Sequence, residues 1–338
     1  MRVWTQTGGF GPEHLAITQR EKPEPTQLQV RVRVLAVSLN YRDLMLMRGT
    51  YDPRLPMPRV PLSDAVAIVD ALGPGSTRFA LGDRVCPIFA LGYLSGEATA
   101  DTVNRAAGHR IDGVMAEYLV IDEASLVLAP AHLSPAQAAT LPCAAVTAWN
   151  ALTSIRPVKA GDTVVVQGTG GVSLFALQLA KAFGAKVIAT SGDDEKLARA
   201  LIAGADHGIH YKHTPRWSKT VREVTEGRGA DLVVEVGGAG TLTESIGAVR
   251  ASGRIALVGA LTGRGQPLDL LPVVMRSVVM HGIFVGHRLH FEELNRAMTA
   301  HRIVPHVDRI FAFDELVAAL EHLESGRHFG KVVVNVAA

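Results

Sequence analysis

The feature that most constrains the fold is an apolar run that ends in a glycine-rich turn. Residues 164–167 have the pattern of a buried strand, residues 168–173 form a turn with few side chains, and residues 174–183 have the pattern of a helix. Such a turn presents free backbone N–H groups and the positive end of a helix dipole to an anion. The residues predicted to bind the pyrophosphate of a dinucleotide are Gly168, Gly170, Gly171 and Val172.

A glycine turn alone is weak evidence, so the elements around it decide its interpretation. A second strand is predicted at 186–190 and further strands at 231–236 and 254–259, with helical patterns between them. Strands that alternate with helices indicate a parallel sheet covered by helices. This part of the chain is therefore predicted to be an α/β fold of the doubly wound, Rossmann type.

Length and composition narrow the remaining possibilities. A chain of 338 residues exceeds what one hydrophobic core usually supports, which favours two domains. The formal charge of +2, without a block of Lys or Arg, gives no sign of binding to nucleic acid or to a membrane surface. Two distant cysteines give no disulfide framework, and the start of the chain lacks a signal-peptide pattern. We therefore expect a cytoplasmic protein that acts on a small molecule.

The first part of the chain is rich in strand patterns and turns. Residues 29–37 and 66–71 alternate as half-buried strands, and a last strand at 331–336 is expected to return to this part. We place a β-rich domain at 1–125, a nucleotide-binding domain at 126–265, and the final strand and helix of the parallel sheet followed by the return at 266–338.

The order of these features resembles the medium-chain dehydrogenase/reductase superfamily over essentially the whole chain. The likeness is carried by the β-rich start, the segment Thr147-Ala148-Trp149, the glycine turn and the closing Gly330-Lys331-Val332-Val333. Within the superfamily the chain is most similar to the zinc-free branch of quinone oxidoreductases and enoyl reductases. The resemblance implies a GroES-like catalytic domain, split between the two chain ends, around a central Rossmann domain.

The resemblance also locates the metal-ligand positions of zinc-dependent members. Their first Cys matches Asn40, their His-Glu pair matches Ser63-Asp64, and a later Cys matches Cys143. One thiolate and one carboxylate fall short of the three protein ligands of a catalytic zinc. We therefore expect no zinc, with a zinc-dependent alcohol dehydrogenase that uses Cys143 and Asp64 as the alternative.

Three histidines have a spacing that suggests a metal site of another kind. They are His207, His210 and His213. Gly208 interrupts any helix there, and the trio follows a predicted surface turn. We therefore expect solvated loop histidines rather than metal ligands.

The absence of a Lewis acid favours hydride addition to a conjugated acceptor, because hydrogen-bond donors can hold the charge that develops on its oxygen. A predicted helix that opens at 38–43 and ends near 49–51 resembles the superfamily pattern NxxD…GxY. The resemblance implies that Asn40 lies by the nicotinamide ribose and positions cofactor and substrate, that Tyr51 donates the proton, and that Asp43 belongs to the same set.

These residues also have structural interpretations. Asp43 stands in a first helical turn, where a carboxylate complements the dipole, and Asn40 fits a helix cap. Tyr51 stands in a loop, where an exposed tyrosine needs no function, and Tyr41 is the substitute proton donor. Arg42 is expected to be a surface charge.

The residues after the second strand of the parallel sheet bear on the choice of cofactor. NAD-dependent enzymes place an acid at the end of that strand, where this chain has Ser191. In NADP-dependent quinone reductases, a Gly, a Lys and a Tyr surround the 2′-phosphate. The matching residues here are Gly192, Lys196 and Tyr211. We expect NADP(H) rather than NAD(H), provided that Asp193 and Asp194 cap the next helix and face solvent, since carboxylates repel a phosphate.

The resemblance implies further cofactor contacts and a second subunit. Thr147, Gly259, Phe284 and Val285 match residues near the nicotinamide, and Lys331 is expected to reach the pyrophosphate. Residues 278–285 are expected to form an apolar edge strand, which favours a homodimer because exposed edges need cover. Together these features predict an NADP(H)-dependent, metal-free reductase of an activated alkene, quinone or carbonyl. A protein that binds the nucleotide without turnover is the third possibility.

Overall fold

The structure, a computed structural model, describes residues 1–263, 265 and 267–337. The strands are β1 (Arg2–Gln6), β2 (Leu15–Gln19), β3 (Gln29–Ser38), β4 (Asp64–Leu72), β5 (Arg84–Pro87), β6 (Tyr118–Asp122), β7 (Leu126–Leu128), β8 (Thr163–Gln167), β9 (Lys186–Ser191), β10 (His207–His210), β11 (Ala230–Glu235), β12 (Val249–Leu257), β13 (Val279–Gly282), β14 (Val307–Phe311) and β15 (Lys331–Asn335). The helices are α1 (Tyr41–Met47), α2 (Ala100–Asn104), α3 (Pro135–Ala138), α4 (Val146–Thr153), α5 (Gly171–Ala182), α6 (Asp194–Ile202), α7 (Trp217–Val224), α8 (Leu242–Ala248), α9 (Leu271–Met275), α10 (Arg288–Ala300) and α11 (Leu316–Glu324). Within the described ranges, none of these helices is long and apolar enough to span a bilayer.

The chain forms two compact units. The first unit comprises Met1–Val146 and Val285–Ala338, and the second comprises Thr147–Phe284. Residues 126–146, which the sequence pattern assigned to the nucleotide-binding domain, therefore lie in the first unit. The reason is packing: α3 lies against β3 and β4, and the π-helical turn Leu141–Ala145 lies against β4 and β5.

The second unit is built on a parallel six-stranded sheet in the order β10-β9-β8-β11-β12-β13. Its central strands β8 and β11 are buried along their whole length, as expected for near-continuous apolar runs inside an α/β domain. The chain leaves β8 on one side toward β9 and returns on the other side as β11. A ligand is expected at such a switch point, beyond the carboxyl ends of the strands. The predicted doubly wound parallel sheet is confirmed.

The first unit contains a seven-stranded sheet in the order β14-β15-β3-β4-β5-β7, with β6 also paired to β3. Strand β15 runs antiparallel to β3 with Val333 opposite Ser38, so the predicted return of the last strand is confirmed. Strand β4 flanks β3 on its other side, with Asp64 opposite Ser38. Extending the β15–β3 register by two residues sets Lys331 opposite Asn40. The ends of three strands from distant parts of the chain therefore meet at one place.

An ion-pair cluster around Asp231 ties the amino ends of the central strands in the second unit. The Asp231 side chain is fully buried and accepts hydrogen bonds from the Thr163 N–H (2.8 Å), from both terminal nitrogens of Arg228 (2.7 and 2.8 Å) and from Arg250 Nε (2.7 Å). Burial alone raises the pKa of this carboxyl. The hydrogen bonds from Arg228, Arg250 and Thr163 outweigh burial and hold the pKa of Asp231 well below its ordinary value.

The Asp231→Asn variant tests this cluster. We expect a loss of about 3 kcal/mol in the free energy of unfolding at pH 7, because removing one partner of a buried pair leaves the other charges uncompensated. A lowered folded-state pKa stabilises the protein above the unfolded value of about 3.9, and this contribution is lost as the pH falls below it. Urea titrations at pH 7 and at about pH 2.5, below the unfolded value, should therefore show a smaller difference from wild type at the lower pH. Glu223→Gln, at an exposed position of α7, is the control. Equal stability of Asp231→Asn and wild type at pH 7 would contradict the assignment.

Candidate functional site

The turn between β8 and α5 leaves open space next to the N-terminus of the helix. Gly168 has φ +70°, a left-handed conformation that favours glycine, and a Cβ placed on Gly168 or Gly170 would meet no atom within 4 Å. Gly170 precedes the first helical residues, Gly171 and Val172, and has no side chain with which to cap them. Ser173 is buried and donates to the Gln167 carbonyl (2.5 Å), which packs the helix against the strand. The turn therefore leaves its N–H donors and the space above them to a ligand.

Two polar residues below this turn escaped the sequence analysis. Gln167 ends β8 and Glu235 ends β11, and the Gln167 amide donates to Glu235 Oε2 (2.7 Å). Glu235 is fully buried, and its Oε1 accepts the N–H groups of Gly237 (2.8 Å) and Gly238 (2.9 Å) and the Thr241 hydroxyl (2.6 Å). The pair joins two neighbouring strand ends and shapes the loop after β11. The sequence signal that could have identified Gln167 and Glu235 is that each is a polar residue at the end of an apolar strand.

The residues predicted to recognise the adenosine end come together in the second unit. Pairing of β9 with β10 places His210 opposite Ser191, and the Tyr211 N–H donates to the Ser191 carbonyl (3.0 Å). A Cβ on Gly192 would lie 2.5 Å from the Tyr211 hydroxyl, so the tyrosine lies against the bare glycine backbone. Lys196 stands in the first turn of α6, the helix that follows Gly192.

NADP(H) was expected only if the aspartates beside these residues cap the next helix and face solvent. Asp193 caps α6 by accepting the Lys196 N–H at 2.9 Å. The Asp194 side chain is 79% exposed and therefore faces solvent. The Asp193 and Asp194 side chains therefore occupy the positions that the expectation of NADP(H) requires.

The expectation of loop histidines was wrong for His207 and His210, which lie in β10, and is confirmed for His213, which lies in the exposed turn after that strand. His210 and His213 stack with ring centroids 3.8 Å apart and an angle of 14°, and His210 Nε2 lies 3.7 Å from Asp194 Oδ1. The potential ligand atoms of these three residues lie within 4.8 Å of one another. The lone pair of a ring nitrogen lies in the plane of its ring. Because the His210 and His213 rings are nearly parallel, their lone pairs lie in separate parallel planes and do not point at one ion. The arrangement is a stacked pair rather than a built metal site.

Two of the residues predicted near the nicotinamide lie at the carboxyl edge of the parallel sheet. Gly259 follows β12 and Phe284 follows β13, so both share the edge on which the glycine turn lies. A Cβ on Gly259 would come within 2.7 Å of the Val236 carbonyl oxygen, so only glycine fits there. Thr147 is buried in α4, and Val285, with φ +42°, begins the second segment of the first unit.

In the first unit, the positions that correspond to zinc ligands form one buried hydrogen-bonded cluster. Lys331 Nζ donates to the Leu39 carbonyl and to Asn40 Oδ1 (2.6 Å for the latter). Asn40 Nδ2 donates to Ser63 Oγ (3.4 Å), and Ser63 Oγ donates to Asp64 Oδ1 (2.7 Å). Lys331 is 4% exposed and Asp64 0%. The Lys331 ammonium thus lies beside Asn40, a contact that the sequence did not predict, and its expected contact with the pyrophosphate stays a prediction.

These residues do not fit a catalytic zinc. Cys143 donates its backbone N–H to Asp64 Oδ2 (3.0 Å), and burial, reinforced by the charge of Asp64, raises the pKa of the Cys143 thiol well above its ordinary value. A catalytic zinc uses three protein ligands from thiolate, imidazole and carboxylate, whereas the set here offers one thiol and one carboxylate, with an amide and a hydroxyl at the other positions. The ammonium of Lys331 next to Asn40 also repels a dication.

Asp43 lies behind this cluster. Its Oδ2 accepts the Asn40 N–H at 2.8 Å, which fixes the N-cap residue of α1. Its Oδ1 has no hydrogen-bond partner among the residues that the structure describes. Burial raises the pKa of Asp43 to about 6, against the opposing charge of Arg42. A buried carboxyl with such a pKa destabilises the fold when it ionises.

Tyr51 is 39% exposed and has two basic residues beside its ring. His109 meets the ring edge-on at 5.6 Å, and the Arg42 guanidinium carbon lies 5.9 Å from the ring centroid. The expectation that Arg42 is a surface charge was wrong: it packs over Phe89 (4.6 Å) and donates to the Ala107 carbonyl (3.1 Å). Burial lowers the pKa of His109, and the charge of Arg42 lowers it further. Of the two basic residues beside Tyr51, Arg42 is therefore the one with a permanent positive charge.

Comparison with known proteins gives a consistent assignment for both units. Residues 26–131 match the family model described as alcohol dehydrogenase GroES-like domain, and residues 171–300 match the one described as zinc-binding dehydrogenase. A zinc-type alcohol dehydrogenase-like protein of Schizosaccharomyces pombe is 41% identical over 99% of this chain and 98% of the relative.

Two solved structures add information on cofactors. An NAD-dependent alcohol dehydrogenase is 36% identical with a TM-score of 0.91, over the whole of both chains. A mycobacterial protein complexed with NADPH is 27% identical with a TM-score of 0.83, over 99% of this chain and 100% of that one. Relatives of this fold therefore include both NAD-dependent and NADPH-binding proteins.

The Gly170→Ala variant tests the glycine turn. Gly170 has φ −78° and ψ 177°, which alanine also adopts, and the added methyl would meet no protein atom. We therefore expect an unchanged melting temperature but at least ~10-fold weaker NADPH binding, about 1.4 kcal/mol, because the methyl occupies the ligand's space. Gly282→Ala, where a Cβ also meets nothing, is the matched control and should bind normally. Unaltered NADPH affinity of Gly170→Ala, measured by fluorescence titration, would contradict the assignment.

The raised pKa of Asp43 predicts an unusual pH dependence of stability. A carboxyl whose folded-state pKa is about 6 and whose unfolded value is about 3.9 favours the folded state when protonated, so stability falls as the pH rises from about 4 to 6. In Asp43→Asn the amide oxygen can still accept the Asn40 N–H, and this loss, about 2 kcal/mol, should disappear. Urea midpoints between pH 4.5 and 8 give the comparison, with exposed Asp101→Asn as the control. A wild-type profile as flat as that of Asp43→Asn would show that Asp43 is ionised throughout.

Proposed function

Because this chain belongs to the medium-chain dehydrogenase/reductase superfamily, we propose that it is an NADP(H)-dependent oxidoreductase that transfers hydride to an activated alkene, quinone or carbonyl without a catalytic metal. The observation that carries the proposal is the buried cluster of Lys331, Asn40, Ser63 and Asp64 at the positions of the zinc ligands. It offers hydrogen-bond donors to an acceptor and a poor ligand set to a metal.

The preference for NADP(H) over NAD(H) is supported by the adenosine end of the second unit. Ser191 takes the place of the acid that binds a ribose hydroxyl, and its Oγ accepts the Asp193 N–H (3.2 Å). The Tyr211 hydroxyl and the N-terminal turn of α6 with Lys196 lie beside Gly192, where a phosphate is stabilised by hydrogen bonds and positive charge.

The chemistry needs two contributions from the chain. When bound, NADPH supplies the hydride, and negative charge develops on the acceptor oxygen. The Asn40 amide donates a hydrogen bond to that oxygen, and Tyr51 returns the proton. The Arg42 guanidinium carbon, 5.9 Å from the ring centroid, and His109, edge-on at 5.6 Å, hold the Tyr51 ring in place.

The proposal extends to a cytoplasmic homodimer. Strand β13 is the edge of the parallel sheet, and Val279 on it is 39% exposed. An apolar edge strand is an interface candidate because its free N–H and C=O groups can pair with a second copy. Both cysteines are free thiols, which suits a reducing compartment.

Acceptor-dependent oxidation of NADPH, followed at the nicotinamide absorbance over a panel of quinones, enones, enals and aldehydes, tests the reaction class. With the best acceptor, Tyr51→Phe should lower kcat by about 100-fold, the usual contribution of a general acid, and leave NADPH affinity unchanged. Tyr118→Phe, a half-buried tyrosine of β6, is the control and should keep wild-type turnover.

Unchanged turnover of Tyr51→Phe would remove the proton-donor assignment. Wild-type protein that binds NADPH but oxidises it with no acceptor would overturn the enzyme proposal and favour a nucleotide-binding protein without turnover.

A further inference from the structure

Lys331 determines which way the Asn40 amide faces. An ammonium group can only donate hydrogen bonds, so the Asn40 atom 2.6 Å from Lys331 Nζ must be the carbonyl oxygen. The opposite atom of the amide is therefore Nδ2, which donates to Ser63 Oγ. Without Lys331, the two amide orientations would differ far less in energy.

The donor-to-acceptor direction that Lys331 imposes on the Asn40 amide continues through Ser63 to Asp64. Ser63 Oγ accepts from Asn40 and donates to Asp64 Oδ1, and an ionised carboxylate can only accept. Every bond thus runs from the ammonium to the carboxylate, and the reverse arrangement would leave a donor facing a donor. The Cys143 N–H donates to the other oxygen of Asp64 and so fixes the carboxylate at the end of this series of hydrogen bonds.

Burial makes this chain of hydrogen bonds rigid. Lys331 and Asp64 are 4% and 0% exposed, and Ser63 between them is also fully buried. The two charge-assisted hydrogen bonds, Lys331 to Asn40 (2.6 Å) and Ser63 to Asp64 (2.7 Å), are short, and the neutral bond from Asn40 to Ser63 between them is longer (3.4 Å). This series of hydrogen bonds also explains how a lysine remains inside the first unit. The charge of the lysine is balanced by the Asp64 carboxylate, to which it is linked through two neutral side chains.

We propose that Lys331 is a positioning residue for hydride transfer, which holds the Asn40 amide with its N–H groups available and its oxygen turned away from the acceptor. One N–H of Asn40 goes to Ser63, and the other is the donor to the acceptor oxygen. A flipped amide would present its carbonyl oxygen to the developing negative charge and repel it. This inference rests on the proposed function, and it is an alternative to the expected contact of Lys331 with the pyrophosphate.

The Lys331→Met variant tests the inference, because methionine fills similar space without a donor. We expect kcat to fall about 10- to 100-fold, in the range seen when a charge-stabilising donor is lost, with NADPH affinity unchanged. The primary deuterium isotope effect on kcat, measured with NADPH deuterated at the transferred position, should rise because hydride transfer becomes slower than the other steps. Lys181→Met, which removes a surface lysine paired with Asp206, is the control and should leave all three quantities unchanged.

Two results for Lys331→Met would overturn the inference. Wild-type kcat would show that the amide does not need the ammonium. A loss of NADPH affinity that accounts for the loss of turnover would assign Lys331 to the nucleotide instead.

A second variant decides the case if Lys331→Met does not fold. In Asn40→Asp, the carboxylate can still accept from Lys331 but has no N–H for the acceptor. We expect a folded protein with strongly reduced kcat at saturating NADPH, and retained turnover would overturn the inference. Wild-type protein without any acceptor-dependent turnover would overturn the proposed function and this inference together, whereas an active wild type with an equally active Lys331→Met overturns the inference alone.

Discussion

A buried charge needs a partner, and the first unit is arranged around one such requirement. The Lys331 ammonium and the Asp64 carboxylate lie in the interior and are connected through Asn40 and Ser63. The last strand of the chain delivers the lysine, β3 leads into the asparagine, and β4 begins with the aspartate. An error in either strand register would move one of these groups away and leave the other charge unpaired, which costs several kcal/mol.

The second unit has a different electrostatic requirement, which is to bind an anionic nucleotide. The turn after β8 offers backbone N–H groups rather than side-chain charges, and the helix dipole of α5 adds to them. Glu235, buried beneath the turn, is engaged by backbone N–H groups and hydroxyls and therefore does not face the ligand. The second unit thus leaves its backbone donors to the expected ligand and satisfies the Glu235 carboxylate within the protein.

Sequence analysis predicted best where the signal was local. The strand, glycine turn and helix at 163–182 follow each other directly, and the return of the last strand to the first part of the chain was predicted, although its pairing with β3 was not. The contact of Lys331 with Asn40 was not predicted because the two residues are 291 positions apart in sequence, and no local pattern reports such a contact. Arg42 was placed at the surface because charge alone does not reveal a guanidinium packed on Phe89. His207–His210 was missed as a strand because a glycine and two polar residues hide the alternation.

The central claim is that charge on the reduced acceptor is stabilised by hydrogen bonds from the chain, with no metal taking part. The most direct test measures acceptor-dependent NADPH oxidation together with metal content, before and after exhaustive dialysis against a chelator and after readdition of zinc. The account predicts substoichiometric zinc, turnover that survives dialysis, and no gain when zinc is added. One zinc per chain, with turnover lost on its removal and restored on its return, would contradict it.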